Sequence, residues 1–232
     1  MHVGNSIQPL VHVIDDDDSF RVSMTRMLVA TGFSSVSYRC AGEFLIAHGE
    51  GGAGCILLDI SMPGPSGIDL LKALLTRECA PPVIFVTGRD DVVTTVDVMK
   101  WGALDYLVKP VGIERILPAV RRALQIDAQR RAARDELREL RVRFDTLTLA
   151  ERAIFRGIVY SKLNKQLAAE LSACERTIKA QRARMLEKMG VRTVPQLVRI
   201  ANLIEGTERK LSATRMQLPP ARRSPPPYLC RA

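Results

Sequence analysis

One aspartate stands where a catalytic or metal-binding carboxylate could be held. Asp59 follows the apolar run Cys55–Leu58 and precedes a turn-rich stretch of serine, proline and glycine. A short, continuous apolar run is typical of a strand that is buried on both faces. In open α/β sheets, ligands bind at the carboxyl ends of the strands. Asp59 is therefore predicted to lie at a ligand-binding edge.

Three other apolar runs end in residues of related chemistry. Crowded carboxylates repel one another unless a cation lies among them, and all-oxygen ligation suits Mg²⁺. An aspartate can also act as a nucleophile and form an aspartyl-phosphate, whose charge a metal, a lysine and a hydroxyl would offset. Each feature alone is more typical of a loop or a cap, but all four in order indicate one site. The runs are Val11–Ile14 before four aspartates (15–18), Val83–Val86 before Thr87, and Tyr106–Val108 before Lys109.

Strand and helix patterns alternate from residue 10 to residue 124. The segments Ser19–Thr31, Gly67–Arg77 and Asp90–Trp101 carry apolar residues at helical spacing. Such alternation is typical of a parallel sheet with helices on both faces. The predicted fold class is α/β, with a doubly wound five-stranded parallel sheet. A long helical linker (residues 125–144) and a small all-α domain (residues 145–206) are predicted to follow it.

Charge is distributed unevenly along the 232 residues. Residues 1–122 carry 11 basic and 14 acidic side chains, whereas residues 123–232 carry 23 basic and 11 acidic ones. A basic second half suggests a polyanionic partner, although a basic solvated helix and tail account for part of the excess. The stretch 207–232 is rich in proline and arginine and is predicted to be a disordered tail.

The segment 123–143 is rich in charge and contains neither proline nor glycine, so a helix is favoured over coil. It could form a dimer seam or a solvated single helix, and the residues leave both open. The five cysteines show no paired spacing, which favours a reducing compartment. No run of 18 apolar residues and no signal segment is present, so a cytoplasmic protein without membrane contact is predicted.

Residues Leu147–Ile204 hold four short helical patterns. Thr148 and Glu151 have capping-box spacing at the start of the first. A short connection joins the second to a third helix, Glu175–Met189, whose outer face carries small and basic residues. Small residues let a helix enter the major groove of DNA, and cations contact phosphates or guanines. The pattern indicates a helix-turn-helix, although any small helical bundle would show similar periodicity.

The first half resembles the receiver domain of two-component response regulators. The motifs are Val-Ile-Asp-Asp, Leu-Leu-Asp-Ile-Ser-Met-Pro-Gly-Pro-Ser-Gly, Phe-Val-Thr-Gly and Gly-Ala-Leu-Asp-Tyr-Leu-Val-Lys-Pro, within residues 10–124. The resemblance implies that Asp59 is the phosphoacceptor and that the Lys109–Pro110 bond is cis. It also implies a Mg²⁺ site, phosphoryl contacts and a switch pair. The implied Mg²⁺ ligands are Asp15, Asp16, Asp59 and the Ser61 carbonyl. The implied phosphoryl contacts are Thr87 and Lys109, and the implied switch pair is Thr87 with Tyr106.

The second half resembles the LuxR/NarL-type DNA-binding domain, through Leu-Thr-Leu-Ala-Glu-Arg, Asn-Lys-Gln-Leu-Ala-Ala-Glu-Leu, Glu-Arg-Thr-Ile-Lys-Ala-Gln-Arg and Lys-Met-Gly-Val. The domain order is most similar to the FixJ-like response regulators. Gln181, Cys174 and the turn Ser161–Leu163 depart from the family pattern, and Cys174 is expected to cap its helix weakly. The resemblance implies DNA contacts by Lys165, Thr177, Lys179, Arg182 and Arg184.

The predicted function is a DNA-binding transcription regulator rather than an enzyme. The resemblance implies that a sensor histidine kinase phosphorylates Asp59, which promotes dimerisation and binding to double-stranded DNA. A phosphatase resembling the haloacid dehalogenases is disfavoured because it needs a second aspartate where Ser61 stands. An interaction protein without phosphoryl chemistry is disfavoured because every pocket residue is present.

Overall fold

The computed structural model describes residues 8–48, 52–77, 79–88 and 92–217. Their contacts form two compact units, here called the α/β unit, which ends at Arg131, and the helical unit, which begins at Ala132. In the described residues, strands and helices alternate through the first unit. They are β1 (Leu10–Ile14), α1 (Asp18–Ala30), β2 (Ser34–Tyr38), α2 (Ala41–Ala47), β3 (Gly54–Leu58), α3 (Gly67–Leu75), β4 (Val83–Thr87), α4 (Val92–Lys100), β5 (Asp105–Val108) and α5 (Ile113–Asp145).

The five strands form one parallel sheet in the order β2-β1-β3-β4-β5. Strands β3 and β4 are buried along their whole length, so both faces are apolar and the sequence lacks alternation. Ile56, Leu58 and Phe85 face a core shared with α2, α3 and α4. Leu57 and Ile84 face a second core shared with α1 and α5. The doubly wound five-stranded sheet predicted from the sequence is confirmed.

Helix α5 extends beyond the predicted end of the first domain at residue 124. Asp127, only 3% exposed, accepts a hydrogen bond from the Gly54 N–H at 2.9 Å and pairs with Arg131 Nε at 2.7 Å. Arg131 also donates to the Gly52 carbonyl. The residues up to Arg131, predicted to be linker, therefore pack with the α/β unit against the amino end of β3.

The last part of α5 packs with the helical unit, whose other helices are α6 (Leu149–Val159), α7 (Asn164–Glu170), α8 (Glu175–Met189) and α9 (Val194–Gln217). Leu137, Leu140 and Phe144 of α5 join its core, where they meet Ile154 and Met185. These apolar residues of the predicted linker thus contact their own chain. Apolar burial of this kind, rather than helix propensity, stabilises such short helices.

The ends of the helical unit's elements show clear sequence causes. Thr148 and Glu151 form the predicted capping box at the start of α6. Gly190 ends α8 in the left-handed conformation, with φ at 68°. Helix α9 extends to Gln217, into the stretch predicted as tail, and residues 218–232 lie outside the described residues. None of the described helices combines the length and the hydrophobicity that a membrane span requires.

Candidate functional site

The four polar positions predicted to converge do lie at the same edge of the sheet. Asp15 follows β1, Asp59 follows β3, Thr87 ends β4, and Lys109 follows β5. These four strands are consecutive neighbours and all run in the same direction. Their carboxyl ends therefore form one rim, which is the usual location of ligand sites in such sheets.

At the centre of this rim, two buried carboxylates share one ammonium group. Lys109 Nζ lies 2.5 Å from Asp15 Oδ2 and 3.4 Å from Asp59 Oδ1. Asp15 is 1% exposed and Asp59 is 5% exposed. Counting the described residues alone, the cluster thus carries one more acid than base, in an environment where water screens charge poorly. Such a cluster favours the entry of another cation.

Backbone groups hold both carboxylates in place. Asp59 Oδ2 accepts a hydrogen bond from the Ser61 N–H at 2.7 Å, and the Asp59 N–H donates to the Ile14 carbonyl at 2.9 Å. Asp15 Oδ1 accepts from the Asp17 N–H at 3.0 Å. One oxygen of Asp59 therefore points to the backbone and the other toward Lys109.

Burial raises the pKa of the Asp15 carboxyl above its usual range, and the nearby Asp59 acts in the same direction. The hydrogen bonds from Lys109 and from the Asp17 N–H, and the charge of Lys109, partly oppose this rise. A carboxylate whose pKa stays raised despite an adjacent ammonium gains from a further positive charge. The electrostatics therefore agree with the excess of acid over base.

The four consecutive aspartates, residues 15–18, have different structural environments. Asp17 caps α1 by accepting from the N–H groups of Ser19 and Phe20, at 2.8 and 3.2 Å. Asp18 pairs with Arg21. Asp15 is buried in the rim, whereas Asp16 is exposed. Among the described residues, no three acidic, histidine or cysteine side chains are gathered as a metal-binding cluster.

Hard oxygen donors and an unbalanced negative charge suit Mg²⁺. The residues present therefore fit the predicted metal, through Asp15 and Asp59 as the buried donors. Asp16 directly follows Asp15, and Ser61 lies two residues after Asp59.

Thr87 and Tyr106 lie on the two strands beside this cluster. Thr87 is fully buried, and its carbonyl accepts the Lys109 N–H at 2.8 Å. Tyr106 is half-buried, pairs with Phe85 across the sheet, and packs against the core under α2, α3 and α4. The Lys109–Pro110 peptide bond is cis, as the resemblance implied.

In the helical unit, α8 has one buried and one exposed face. Ile178, Met185 and Met189 face the core. The opposite face combines cationic side chains with two alanines, so it is both positively charged and shallow. The exposed residues there include Arg176, Thr177, Lys179, Ala180, Ala183 and Arg184, together with the acidic Glu187, and Lys165 of α7 is exposed as well.

Arg182 differs from the other predicted DNA contacts because it already has a partner within the unit. Its Nη1 donates to Asn164 Oδ1 at the start of α7, at 3.1 Å, and the side chain is half-buried. This bond ties α8 to α7. The structure thus leaves Lys165, Thr177, Lys179 and Arg184 facing outward, and it leaves Arg182 between the two helices.

Two departures from the family pattern have visible structural effects. Cys174 occupies the N-cap of α8 without a side-chain capping bond, and its Sγ lies 3.0 Å from Thr177 Oγ1. This agrees with the expectation of weak capping. Ser161, in the turn after α6, adopts a left-handed conformation with φ at 60°, which a glycine would adopt without strain.

Comparison with known proteins agrees with both halves of the molecule. Residues 11–121 match the family described as response regulator receiver domain, and residues 145–201 match bacterial regulatory proteins, luxR family. Over 193 residues the chain is 38% identical to transcriptional regulatory protein FixJ of Azorhizobium caulinodans, covering 83% of this chain and 92% of that protein. The chain belongs to the FixJ-like response regulators.

The regulator has further relatives of the same organisation. It is 34% identical to nodulation protein W of Bradyrhizobium diazoefficiens over 203 residues, which covers 88% of this chain and 89% of that protein. A low-resolution structure of the response regulator StyR matches with a TM-score of 0.75 and 35% identity, covering 84% of this chain and 98% of that one. This FixJ-like regulator is thus a transcriptional response regulator with a receiver domain and a LuxR-type DNA-binding domain.

Sequence reasoning missed several residues that shape the receiver pocket. Arg21 is buried, and its Nη1 donates to the Asp15 carbonyl at 2.6 Å. Phe20 lies beneath Lys109 Nζ, 4.0 Å from the ring centroid. Gly67 packs so closely that a Cβ would overlap the Asp59 carbonyl. Gly67 is the last residue of the receiver motif that contains Asp59. By contrast, nothing in the local sequence distinguishes Phe20 or Arg21 from other residues of an amphipathic helix.

Proposed function

We propose that this regulator is controlled by phosphorylation of Asp59 by a partner sensor histidine kinase. The observation that carries the proposal is the shared contact of Lys109 Nζ with Asp15 and Asp59 in a buried, acidic rim. In the reaction, an Asp59 carboxylate oxygen attacks phosphorus. The new O–P bond forms as the P–N bond to the kinase histidine breaks, and the imidazole leaves with the electron pair and takes up a proton.

The residues around Asp59 would stabilise the transferred group. Lys109 lies close enough to Asp59 Oδ1, at 3.4 Å, to contact a phosphoryl oxygen attached there. The Ser61 N–H holds the other carboxylate oxygen and so orients the nucleophile. The hydroxyl of Thr87 would donate to the phosphoryl group. These are preorganised charges and donors, which supply most of the catalysis in phosphoryl transfer.

Mg²⁺ would be held by Asp15, Asp16, Asp59 and the Ser61 carbonyl. When bound, the metal supplies positive charge that offsets the charge developing on the phosphoryl oxygens. Because Asp15 is buried with a raised pKa, its carboxylate gains from that charge.

The output would follow from a change of population between two receiver states. A phosphoryl group on Asp59 would favour the state in which Thr87 and Tyr106 have moved toward it, since only differential stabilisation can shift such an equilibrium. Homodimerisation, on phosphorylation or constitutively through the linker helix, would then bring together two DNA-binding domains. The protein would not act as an enzyme on an external substrate.

The exposed face of α8 would enter the major groove of double-stranded DNA. Lys179 and Arg184 are exposed cations on that face, and Lys165 and Thr177 would supply phosphate contacts. Arg182 would reach DNA only by exchanging its bond with Asn164. The described cysteines, Cys40, Cys55, Cys79 and Cys174, are free thiols, and we place the protein in the cytoplasm.

The proposal is tested by exposing the full chain to Mg²⁺ and acetyl phosphate and measuring covalent phosphate by mass spectrometry. We expect phosphorylation of the wild type and none in Asp59→Asn. The matched control is Asp135→Asn, an exposed aspartate of α5, which should behave as wild type. Equal phosphorylation of Asp59→Asn and wild type would contradict the assignment.

The output is tested with the same proteins by light scattering, with Mg²⁺ and with or without beryllofluoride, which mimics the phosphoryl group. A mass increase in wild type and not in Asp59→Asn is expected if phosphorylation drives dimerisation, and a dimer mass throughout is expected if the linker dimerises constitutively. A monomer mass in every condition would contradict the dimer.

DNA binding is tested with a duplex selected from a random DNA pool by the wild-type protein. The Lys179→Ala variant should bind the selected duplex at least about tenfold more weakly than wild type.

A further inference from the structure

The ammonium group of Lys109 is enclosed on three sides. Asp15 Oδ2 lies 2.5 Å away, Asp59 Oδ1 lies 3.4 Å away, and the ring centroid of Phe20 lies 4.0 Å away. The lysine side chain is 21% exposed. Two of these neighbours are carboxylates of the proposed phosphorylation site, whereas the third is an aromatic ring to which no role has been given.

The first turn of α1, which carries the Phe20 ring, is bonded to its surroundings. The Phe20 N–H donates to Asp17 Oδ1 at the N-cap of α1. The next residue, Arg21, is buried and donates to the Asp15 carbonyl. The first turn of α1 is therefore bound both to its own cap and to the loop that carries Asp15. The ring itself packs at the margin of the core shared by α1 and α5.

An aromatic ring attracts an ammonium group electrostatically, whereas an aliphatic side chain does not. Lysine carries a compact charge on a flexible four-carbon stem, so its Nζ moves readily unless it is restrained. The negative face of an aromatic ring attracts a cation, and the attraction grows when the cation is partly desolvated. At 4.0 Å from the centroid, Lys109 Nζ lies well within the range of that attraction.

We propose that Phe20 is a positioning residue that holds Lys109 Nζ over Asp59 through a cation–π contact, and so sets how tightly the pocket binds a phosphoryl group. This inference rests on the proposed phosphorylation of Asp59. Phe20 does not touch the reacting atoms and acts only through Lys109. The competing explanation is that the ring merely fills space beside α1.

The test separates ring chemistry from apolar packing. The full-length variants Phe20→Leu, Phe20→Tyr and Phe20→Trp are titrated with beryllofluoride in Mg²⁺, and their phosphorylation rates with acetyl phosphate are measured. We expect Phe20→Leu to bind beryllofluoride about 3- to 10-fold more weakly, and Phe20→Tyr to keep wild-type affinity. Affinity that is unchanged or increased in Phe20→Leu would overturn the proposal.

Phe33→Leu is the matched control, because Phe33 lies at the margin of the same core and undergoes the same substitution. It should lower the free energy of unfolding about as much as Phe20→Leu does and leave beryllofluoride affinity unchanged. An equal loss of affinity in both variants would assign the effect to packing and would overturn the proposal.

Two further measurements keep the test decisive if the larger ring of the Phe20→Trp variant fails to fit. Replacing Phe20 with ring-fluorinated phenylalanines preserves shape and weakens the negative face, so affinity should fall as fluorine is added. In the Lys109→Ala background, Phe20→Leu should have no further effect on beryllofluoride affinity, because the two residues act as a unit; additive effects would contradict this. Failure of wild type itself to bind beryllofluoride would instead refute the proposed function.

Discussion

The two ends of β3 each carry a buried carboxylate cluster, and the two clusters differ in charge balance. At the carboxyl end, Asp15 and Asp59 share Lys109. At the amino end, Asp127 faces Arg131 and accepts the Gly54 N–H. The first cluster has an excess of acid and a carboxylate whose pKa burial raises, so it gains from another cation. In the second, the described partners of the carboxylate are one cation and one backbone donor.

This difference separates a site for chemistry from a structural contact. Both clusters are buried and both join distant segments, so burial of charge alone does not identify a functional site. Under the proposed function, the unbalanced charge at the Asp59 end would make the pocket responsive to Mg²⁺ and to a phosphoryl group. The Asp127–Arg131 pair instead holds the middle of α5 against the amino end of β3, where the helix leaves the α/β unit.

The largest expected effect is on stability, at the Asp127 end. Asp127→Ala should lower the free energy of unfolding of the α/β unit by about 3–4 kcal/mol, because it leaves the Gly54 N–H and Arg131 without this carboxylate. Urea denaturation measures the change. The folded fraction of this variant should be phosphorylated at near the wild-type rate. A loss of phosphorylation with normal stability would contradict the structural role given to Asp127.

The second expected effect concerns two buried histidines, His12 and His48, which belong to neither carboxylate cluster. Burial, and then the proximity of His48, lower the pKa of His12 to about 4, and burial also lowers the pKa of His48. The unfolded chain takes up protons near pH 6.5, whereas folded His12 stays neutral until about pH 4. Stability from neutral His12 is therefore complete above pH 6.5 and is lost as pH falls toward 4, by about 3 kcal/mol.

Comparing wild type with His12→Phe from about pH 7 to about pH 4 isolates this effect, because carboxylates that titrate in the same window are common to both proteins. The unfolding free energy of the variant should fall less steeply. Parallel curves for the two proteins would show that His12 titrates normally when folded, and proton NMR of its ring would check the same point directly.

The third expected effect is on chemistry, at the Asp59 end. Asp15→Asn should slow phosphorylation by acetyl phosphate about 100-fold, because one buried donor and its charge are lost from a preorganised site. The unfolding free energy should change far less than in Asp127→Ala, since the substitution also removes repulsion between two acids. A phosphorylation rate within about threefold of wild type would contradict the chemical role given to the Asp15–Asp59 cluster.

The smallest expected effect is the response of stability to Mg²⁺. At a concentration about ten times its dissociation constant, the metal should raise the unfolding free energy of wild type by about 1.4 kcal/mol, through mass action on the folded state. Asp15→Asn should lose this response, and Asp127→Asn should keep it. Thermal denaturation in a Mg²⁺ series measures both, with Ca²⁺ as a comparison ion.

Much of the fold could be predicted because its signals are local. Each buried strand is one short apolar run, and the residue that ends the run marks the carboxyl edge, as at Asp59 and Lys109. The capping box of Thr148 and Glu151 needs only a spacing of three residues. Family motifs then indicated roles for these positions, and the overall family assignment was confirmed by the comparisons.

Contacts between distant residues could not be predicted in this way. Lys109 reaches Asp15 across 94 residues of sequence, and Asp127 reaches Gly54 across 73. In the sequence, Asp127 is one charge among many on a helix that resembles a solvated linker. Arg182 was predicted from the family motif to contact DNA, whereas the structure shows its side chain bonded to Asn164.

Local sequence patterns account for the order of strands and helices, the acidic and basic halves, and the residues at each strand end, because backbone propensity and apolar periodicity act over a few neighbouring residues. Tertiary packing was needed to select which of the four aspartates is buried, to place one lysine between two carboxylates and the Phe20 ring, and to set where the α/β unit ends. Those outcomes depend on desolvation and on pairing between segments far apart in the chain, and these exist only once the segments are packed together.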